Sequence, residues 1–70
     1  MRQWGMIELS RINGKPLLVN PDLIRFIESA PDTILIFTDG ERLMVREAPG
    51  EIVKKIVVYR RSLVSDLVKE

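Results

Sequence analysis

Two β-rich runs joined by Asp39-Gly40 constrain the fold of this chain more than any other stretch. Asp-Gly is favoured in tight type I′ turns, where both central residues need a positive φ and glycine adopts it without a steric penalty. Ile34–Phe37 leads into the turn, and Leu43–Val45 leads out of it. Thr33–Val45 therefore predicts an antiparallel hairpin.

A second turn dipeptide, Asn13-Gly14, predicts another hairpin near the N-terminus. Its strands are expected at residues 6–12 and 16–19. Pro16 has no N–H to donate, so it belongs at the start or edge of the second strand.

The segment after Asn20-Pro21-Asp22 has two interpretations. Asn as an N-cap and Pro at the first helical position would open a helix whose inner face is apolar. Pro31 would end such a helix early, and the segment is dense in β-branched and aromatic residues. We prefer a single helical turn at 21–23 followed by a strand over Ile24–Ser29, with the next turn at Ala30–Asp32.

The last element is predicted to be a helix over about residues 50–68. Pro49 near its first position and Glu51 in its first turn both favour a start there. We interpret residues 1–5 as an N-terminal extension and residues 6–70 as a single domain. The predicted class is α+β, with about five antiparallel strands in a curled or barrel-like sheet, followed by the helix.

At about 100° per residue, apolar residues of this helix form two neighbouring stripes. The first stripe contains Ile52, Ile56, Tyr59, Leu63 and Leu67, and the second contains Val53, Val57, Val64 and Val68. One small sheet covers one such stripe, so the second predicts self-association. The alternative is that the helix lies deep on a curled sheet that hides both. Arg60 lies between the stripes and is expected to reach water or an acid such as Glu28 or Glu47.

Catalytic and metal chemistry have little support in the composition. The chain has 70 residues with no cysteine and no histidine, which excludes thiolate metal sites and catalysis by a histidine base. Its acids are scattered through turns and strand ends. We therefore expect no enzyme activity, no cofactor and no metal.

The apolar runs are far shorter than the ~20 residues of a membrane span. The N-terminus has no apolar stretch typical of a signal peptide. We expect a cytoplasmic protein.

Basic residues provide the second functional hypothesis, a small nucleic-acid-binding regulator. It would use five cations, namely Arg42, Arg46, Lys54, Lys55 and Arg61. A solvated helix face is the commoner explanation for such a cluster. The net charge of +1 also gives no general attraction to polyanions.

Four motifs, in this order and spacing, resemble one family. They are M-I-E-L-x-R-x-N-G from Met6, V-N-P-D-L-I-x-x-I-E from Val19, P-D-T-I from Pro31 and Y-R-R from Tyr59. Together they are similar to the small flagellar protein family called FlbD, or swarming motility protein SwrD, over Met6 to about Arg61. The resemblance implies a cytoplasmic protein that supports flagellar motor power and swarming through the stator. It carries no catalytic residues.

The first hypothesis is therefore a self-associating binding module for a flagellar motor or stator protein. Its expected contact residues are Arg42, Arg46, Val53, Val57, Arg60, Arg61 and Val64.

Overall fold

In the part of the chain that the structure describes, the strands come first and one α-helix follows them. The computed structural model describes the backbone of residues 5–68 and the side chains of residues 5–62. Over that part, five antiparallel strands precede the helix, which confirms the α+β prediction. The elements are β1 (Ile7–Ser10), β2 (Pro16–Val19), a 3₁₀ turn (Pro21–Leu23), β3 (Ile24–Glu28), β4 (Thr33–Phe37), β5 (Arg42–Val45) and α1 (Pro49–Val68). The predicted extension at residues 1–5 lies almost wholly outside the described residues.

The hairpin at Asp39-Gly40 is present, but its turn is not type I′. The Phe37 N–H donates to the Glu41 carbonyl, and the Gly40 N–H donates to the Phe37 carbonyl, each at 2.9 Å. The loop therefore contains three residues, with Gly40 at φ +91°. Asp39 Oδ1 accepts the Glu41 N–H at 2.9 Å. The aspartate thus serves as a side-chain acceptor and does not need a positive φ itself.

The turn at Asn13-Gly14 repeats this arrangement. The Arg11 N–H donates to the Lys15 carbonyl, the Gly14 N–H donates to the Arg11 carbonyl, and Asn13 Oδ1 accepts the Lys15 N–H. Both predicted hairpins are therefore confirmed. The predicted type I′ turn is wrong at both sites, because each loop has three residues and its Asn or Asp side chain accepts a backbone N–H.

The preferred interpretation of the segment after Asn20 is confirmed. Asn20 Oδ1 accepts the Asp22 N–H at 2.9 Å and caps the 3₁₀ turn, whose first residue is Pro21. The chain then continues directly into β3. The turn at Ala30–Asp32 is also present, with a cis peptide bond before Pro31.

The strands form two small sheets, β1-β2 and β3-β4-β5, so the expected single curled or barrel-like sheet is wrong. The sheets meet at a bridge between Arg11 and Val45, beside which the Arg46 N–H donates to the Ser10 carbonyl at 2.9 Å. The Ser10 N–H is bonded to Glu47 Oε1 at 2.9 Å. Because a side chain takes that donor, the backbone ladder between the sheets ends there. β1 ends at Ser10, before the predicted residue 12, because the loop of the first hairpin closes at Arg11, whose N–H donates to the Lys15 carbonyl.

The core lies between the two sheets and α1. Side chains along β1 alternate between buried and exposed, since Ile7 and Leu9 are buried and Glu8 is exposed. This pattern is expected for a strand with one face toward the core and the other toward solvent. The buried apolar residues are Ile7, Leu9, Val19, Leu35, Val45, Ile52 and Tyr59. Within residues 5–68, no helix combines the length and hydropathy needed to cross a bilayer.

Candidate docking surfaces

The start of α1 is fixed by a reciprocal cap. The Ala48 carbonyl accepts the N–H groups of Glu51 and Ile52, and Glu51 Oε1 accepts the Ala48 N–H at 3.0 Å. A glutamate that reaches back in this way satisfies a backbone donor that the helix leaves free. Ile52, whose N–H closes the first turn onto the Ala48 carbonyl, is fully buried.

The two predicted stripes of α1 have different surroundings. Ile52 and Tyr59 are buried, and Ile56 packs partly buried against the core. Val53 and Val57 are 50% and 41% exposed. Among the described side chains, the sheets therefore cover the first stripe and leave the second open.

We call Val53, Val57 and Val64 the valine row. Val64 belongs to it by sequence spacing, but its side chain lies outside the described residues, as do those of Leu63, Leu67 and Val68.

Arg60 has a partner that the sequence interpretation missed. Its Nη2 atom lies 3.3 Å from Asp22 Oδ1, and both side chains are more than half exposed. The acids suggested from the sequence are engaged elsewhere, since Glu28 pairs with Arg42 and Glu47 accepts from Ser10. Asp22 was overlooked because nothing in the sequence indicates that the 3₁₀ turn lies beside α1. The expected snorkelling toward water is consistent with the exposure of Arg60.

Cations border the valine row on both sides. At about 100° per residue, Arg60 lies between the row and the buried stripe, whereas Lys54 and Arg61 lie on the solvent side. All three are exposed. In the first fourteen residues of α1 the only acid is Glu51. The row is therefore an apolar strip with positively charged borders.

The remaining predicted site residues lie elsewhere. Arg42 is on the face of β5 that points away from the core, 3.5 Å from Glu28. Arg46 Nε donates to the Ile12 carbonyl at 3.0 Å and lies beside the first hairpin loop. The five cations of the nucleic-acid hypothesis are thus divided between a sheet face, a loop and a helix. That hypothesis gains no support from their arrangement.

The pKa of the Glu47 carboxyl is displaced by its surroundings. Burial is the largest single effect and raises the pKa of this carboxyl, but hydrogen bonds from Ser10 and from the backbone of Glu47 itself act in the opposite direction. The charge of Lys55 adds a smaller contribution in the same downward direction, and the net result is a pKa below the usual value. This carboxylate ties β1 to the segment that joins β5 to α1, so its role is structural.

A second apolar surface was not anticipated. Residues on β3, β4 and β5 that point away from the core form what we call the outer sheet face: Phe26, Glu28, Ile34, Ile36, Arg42 and Met44. Phe26 is 53% exposed and Met44 is 44% exposed. The Arg25 guanidinium carbon lies 5.2 Å from the Phe26 ring centroid and partly shields it.

The signal for this face was present in the uninterrupted apolar run Ile34–Phe37. A strand with one solvated face normally alternates between apolar and polar residues, whereas a strand covered on both faces does not. The sequence interpretation used the run only to place a hairpin.

A cleft of about 610 Å³ opens between β2, the 3₁₀ turn and the β4–β5 hairpin. Its floor includes Leu17 and Phe37, and its rim carries both acids and arginines, among them Asp39 and Arg42. The residues that the structure describes contain no group of three or more acids, histidines or cysteines that could hold a metal. The cleft therefore offers apolar surface but no constellation that suggests a reaction.

The resemblance noted in the sequence is confirmed by comparison with family models. A model described as FlbD, flagellar and swarming motility proteins, matches residues 6–64. The chain belongs to the FlbD family. The match includes both surfaces, so the exposed apolar residues belong to the part of the chain that FlbD proteins share. No curated protein and no solved structure matches the chain.

Proposed function

We propose that this FlbD-family protein is a non-enzymatic accessory protein of the flagellar motor that acts by docking to a motor or stator component. The described part of the valine row carries this proposal. Val53 and Val57 are about half exposed, next to the buried Ile52 and Tyr59 on the same helix. An apolar strip of this kind on a small domain is typical of a surface that another molecule covers.

The borders of the row indicate the chemistry of the partner. Lys54 and Arg61 on one side and Arg60 on the other favour an amphipathic helix that places its apolar residues on the valines and its acids on the cations. Part of the positive charge is already balanced, since Arg60 pairs with Asp22. Lys54 and Arg61 are therefore the cations that we expect to meet acids of the partner.

A non-enzymatic role is supported by the composition, which offers neither histidine nor cysteine for nucleophilic or acid–base chemistry. We place the protein in the cytoplasm, where a domain without disulfides can meet the inner parts of the motor. We also propose that it self-associates.

Val57→Asp tests docking, and Val58→Asp is a matched control. Val58 is 64% exposed on the same helix, but it lies about 100° around the axis from Val57 and outside the row. Both variants place the same charge in the same helix, so stability and helix propensity change similarly. We expect Val57→Asp to abolish complementation of swarming in a host that lacks its own FlbD protein, and Val58→Asp to preserve it.

A photo-crosslinker placed at position 57 or 58 identifies the partner in the same host. We expect position 57, and not position 58, to form an adduct with a motor or stator protein. A folded Val57→Asp protein that complements fully would contradict the docking proposal. Adducts of equal yield at both positions would show that the row is not the contact surface.

A further inference from the structure

The outer edge of β2 is an open strand edge in the part of the chain that the structure describes. Ser10 lies opposite Pro16 in the β1-β2 register, yet its N–H and C=O bond to the segment that follows β5. Hydrogen-bonded and non-hydrogen-bonded pairs alternate along an antiparallel ladder. Leu17 therefore bonds to β1, whereas the N–H and C=O of Leu18 point away from it. Within residues 5–62, neither group of Leu18 has a hydrogen-bond partner.

This edge forms one wall of the cleft beside β2. Leu17, Leu18 and Val19 all line the cleft, although successive side chains of a strand point to opposite faces. A cavity that touches three such residues in succession runs along the edge of the strand. Leu18 is 61% exposed, and Leu23 at one end of the cleft is 49% exposed. The β4–β5 hairpin forms the opposite wall, where Phe37 adds a further apolar side chain.

We propose that the cleft takes an extended apolar peptide of a partner protein, which adds to β2 as the third strand of the β1-β2 sheet. The backbone groups at the edge favour this occupant. An extended strand presents the acceptor and the donor that the N–H and C=O of Leu18 require, whereas a helix uses its own backbone groups internally. The surface differs from the valine row, so the inference does not rest on docking through α1.

The size of the cleft agrees with a single added strand. Four residues of a strand are about 13 Å long, 4.8 Å wide and 10 Å thick, or roughly 630 Å³. The cleft has a volume of about 610 Å³. A second copy of the chain fits less well, because its β2 would bring β1 with it. That two-stranded sheet is about twice as wide as one strand, and the β4–β5 hairpin stands on the other side of the cleft.

Charges at the two ends of the cleft favour one direction of the added strand. Arg11 lies at the end where β2 begins, beside the first hairpin loop. Asp39 and Glu41 lie at the other end, because the segment before them bonds to the Leu23 carbonyl. Arg42 reaches the same rim but is already paired with an acid. An antiparallel strand would run from the acids toward Arg11, so we expect a basic residue before its apolar positions and an acidic residue after them.

Selection of random displayed peptides against the purified full chain supplies a probe. We expect the enriched peptides to share apolar residues at alternating positions, with a base before them and an acid after them. The most enriched peptide is then synthesised, and its dissociation constant is measured by fluorescence anisotropy. Val57→Asp, which changes the valine row, is expected to leave that constant unchanged.

Leu18→Pro tests whether the peptide bonds to the open edge. Proline removes the outward N–H but no bond to β1, and Pro16 already occupies the equivalent position two residues earlier. We expect the dissociation constant of the peptide to rise by about tenfold or more. Leu18→Thr is the matched control, because it removes the same side chain but keeps the N–H and suits a strand. It should change the constant by less than about threefold. Circular dichroism verifies that each variant is folded.

Amide hydrogen exchange of the wild-type chain gives a second measurement that needs no variant. The Leu17 and Val19 amides bond to β1 and should exchange slowly without peptide. The Leu18 amide should exchange rapidly without peptide and at least about tenfold more slowly when the peptide is bound.

Three outcomes would overturn the inference. The first is that no peptide is enriched, and the second is that the peptide binds a folded Leu18→Pro variant as tightly as wild type. The third is that the bound peptide slows exchange in α1 and leaves Leu18 unchanged, which would assign binding to the valine row and support only the docking proposal. Protection of the Leu18 amide that rises with the concentration of the chain alone would replace the partner peptide by a second copy.

Discussion

Truncating Ile52 tests whether α1 is oriented as described. Ile52 is fully buried in the first turn after the cap, where it fixes the helix to the core. Ile52→Ala removes three carbons, worth about 0.8 kcal/mol each, or roughly 2.4 kcal/mol before the cavity is considered. Incomplete collapse of the site raises the expected loss to about 3–4 kcal/mol, within the range seen for buried isoleucine. A domain of this length has a total stability of about 4–10 kcal/mol.

Urea denaturation followed by circular dichroism at the helical signal measures the effect. With a denaturant slope of about 1 kcal/mol per molar for so small a domain, we expect the midpoint to fall by about 3 M. Val53→Ala is the control, because Val53 is the next residue along the same helix and is 50% exposed. Alanine is the better helix former, so this change should alter stability by less than about 0.5 kcal/mol. A larger loss from Val53→Ala than from Ile52→Ala would refute the orientation of the helix and with it the exposure of the valine row.

Two further changes test local features. Glu47→Gln keeps an oxygen that can accept the Ser10 N–H but removes the charge. We therefore expect the free energy of unfolding to fall by about 1 kcal/mol at neutral pH. Because the pKa of Glu47 is lowered by folding, its contribution is present above the unfolded value of 4.5 and is lost as the pH falls through the folded pKa. Urea titrations from pH 7 down to about pH 3 should show that the free energy of unfolding depends less on pH in Glu47→Gln than in wild type. The same pH dependence in both proteins would contradict the stabilising role of the Glu47 carboxylate. Gly40→Ala should lower the free energy of unfolding by about 1–2 kcal/mol, because alanine would have to adopt the glycine φ of +91°. The cost comes from the backbone alone, since no other atom lies within 4 Å of the added Cβ. Gly50→Ala, at the start of α1, should be neutral or stabilising, and equal losses in thermal unfolding at both positions would contradict the turn geometry.

Local signals predicted most of the elements. The Asp39-Gly40 and Asn13-Gly14 dipeptides identify both hairpins, because a side-chain acceptor followed by glycine is what their loops require. Pro49 and Glu51 place the start of α1 within a residue, since the glutamate does reach back to cap it. The turn type was wrong because aspartate followed by glycine also suits a three-residue loop, and neighbouring sequence does not distinguish the two.

Long-range features were harder to predict. Closure of the strands into one sheet depends on whether the backbone donors of β1 find carbonyl partners, and Glu47 takes the Ser10 donor from 37 residues away. The partner of Arg60 is likewise 38 residues distant. Neither contact produces a periodic pattern in the sequence from which it could be predicted. The valine row, by contrast, follows from helical geometry alone, and its exposure among the described side chains agrees with the expectation.

The two apolar surfaces differ most in the sign pattern of their charges. A border of one sign, as beside the valine row, discourages copies of the chain from pairing through the helix and attracts an opposite charge. The outer sheet face carries both signs, because Glu28 pairs with Arg42 and the Arg25 guanidinium lies over the Phe26 ring. Because α1 packs on the core side of the strands and the outer sheet face points away from the core, a molecule that covers one surface leaves the other accessible.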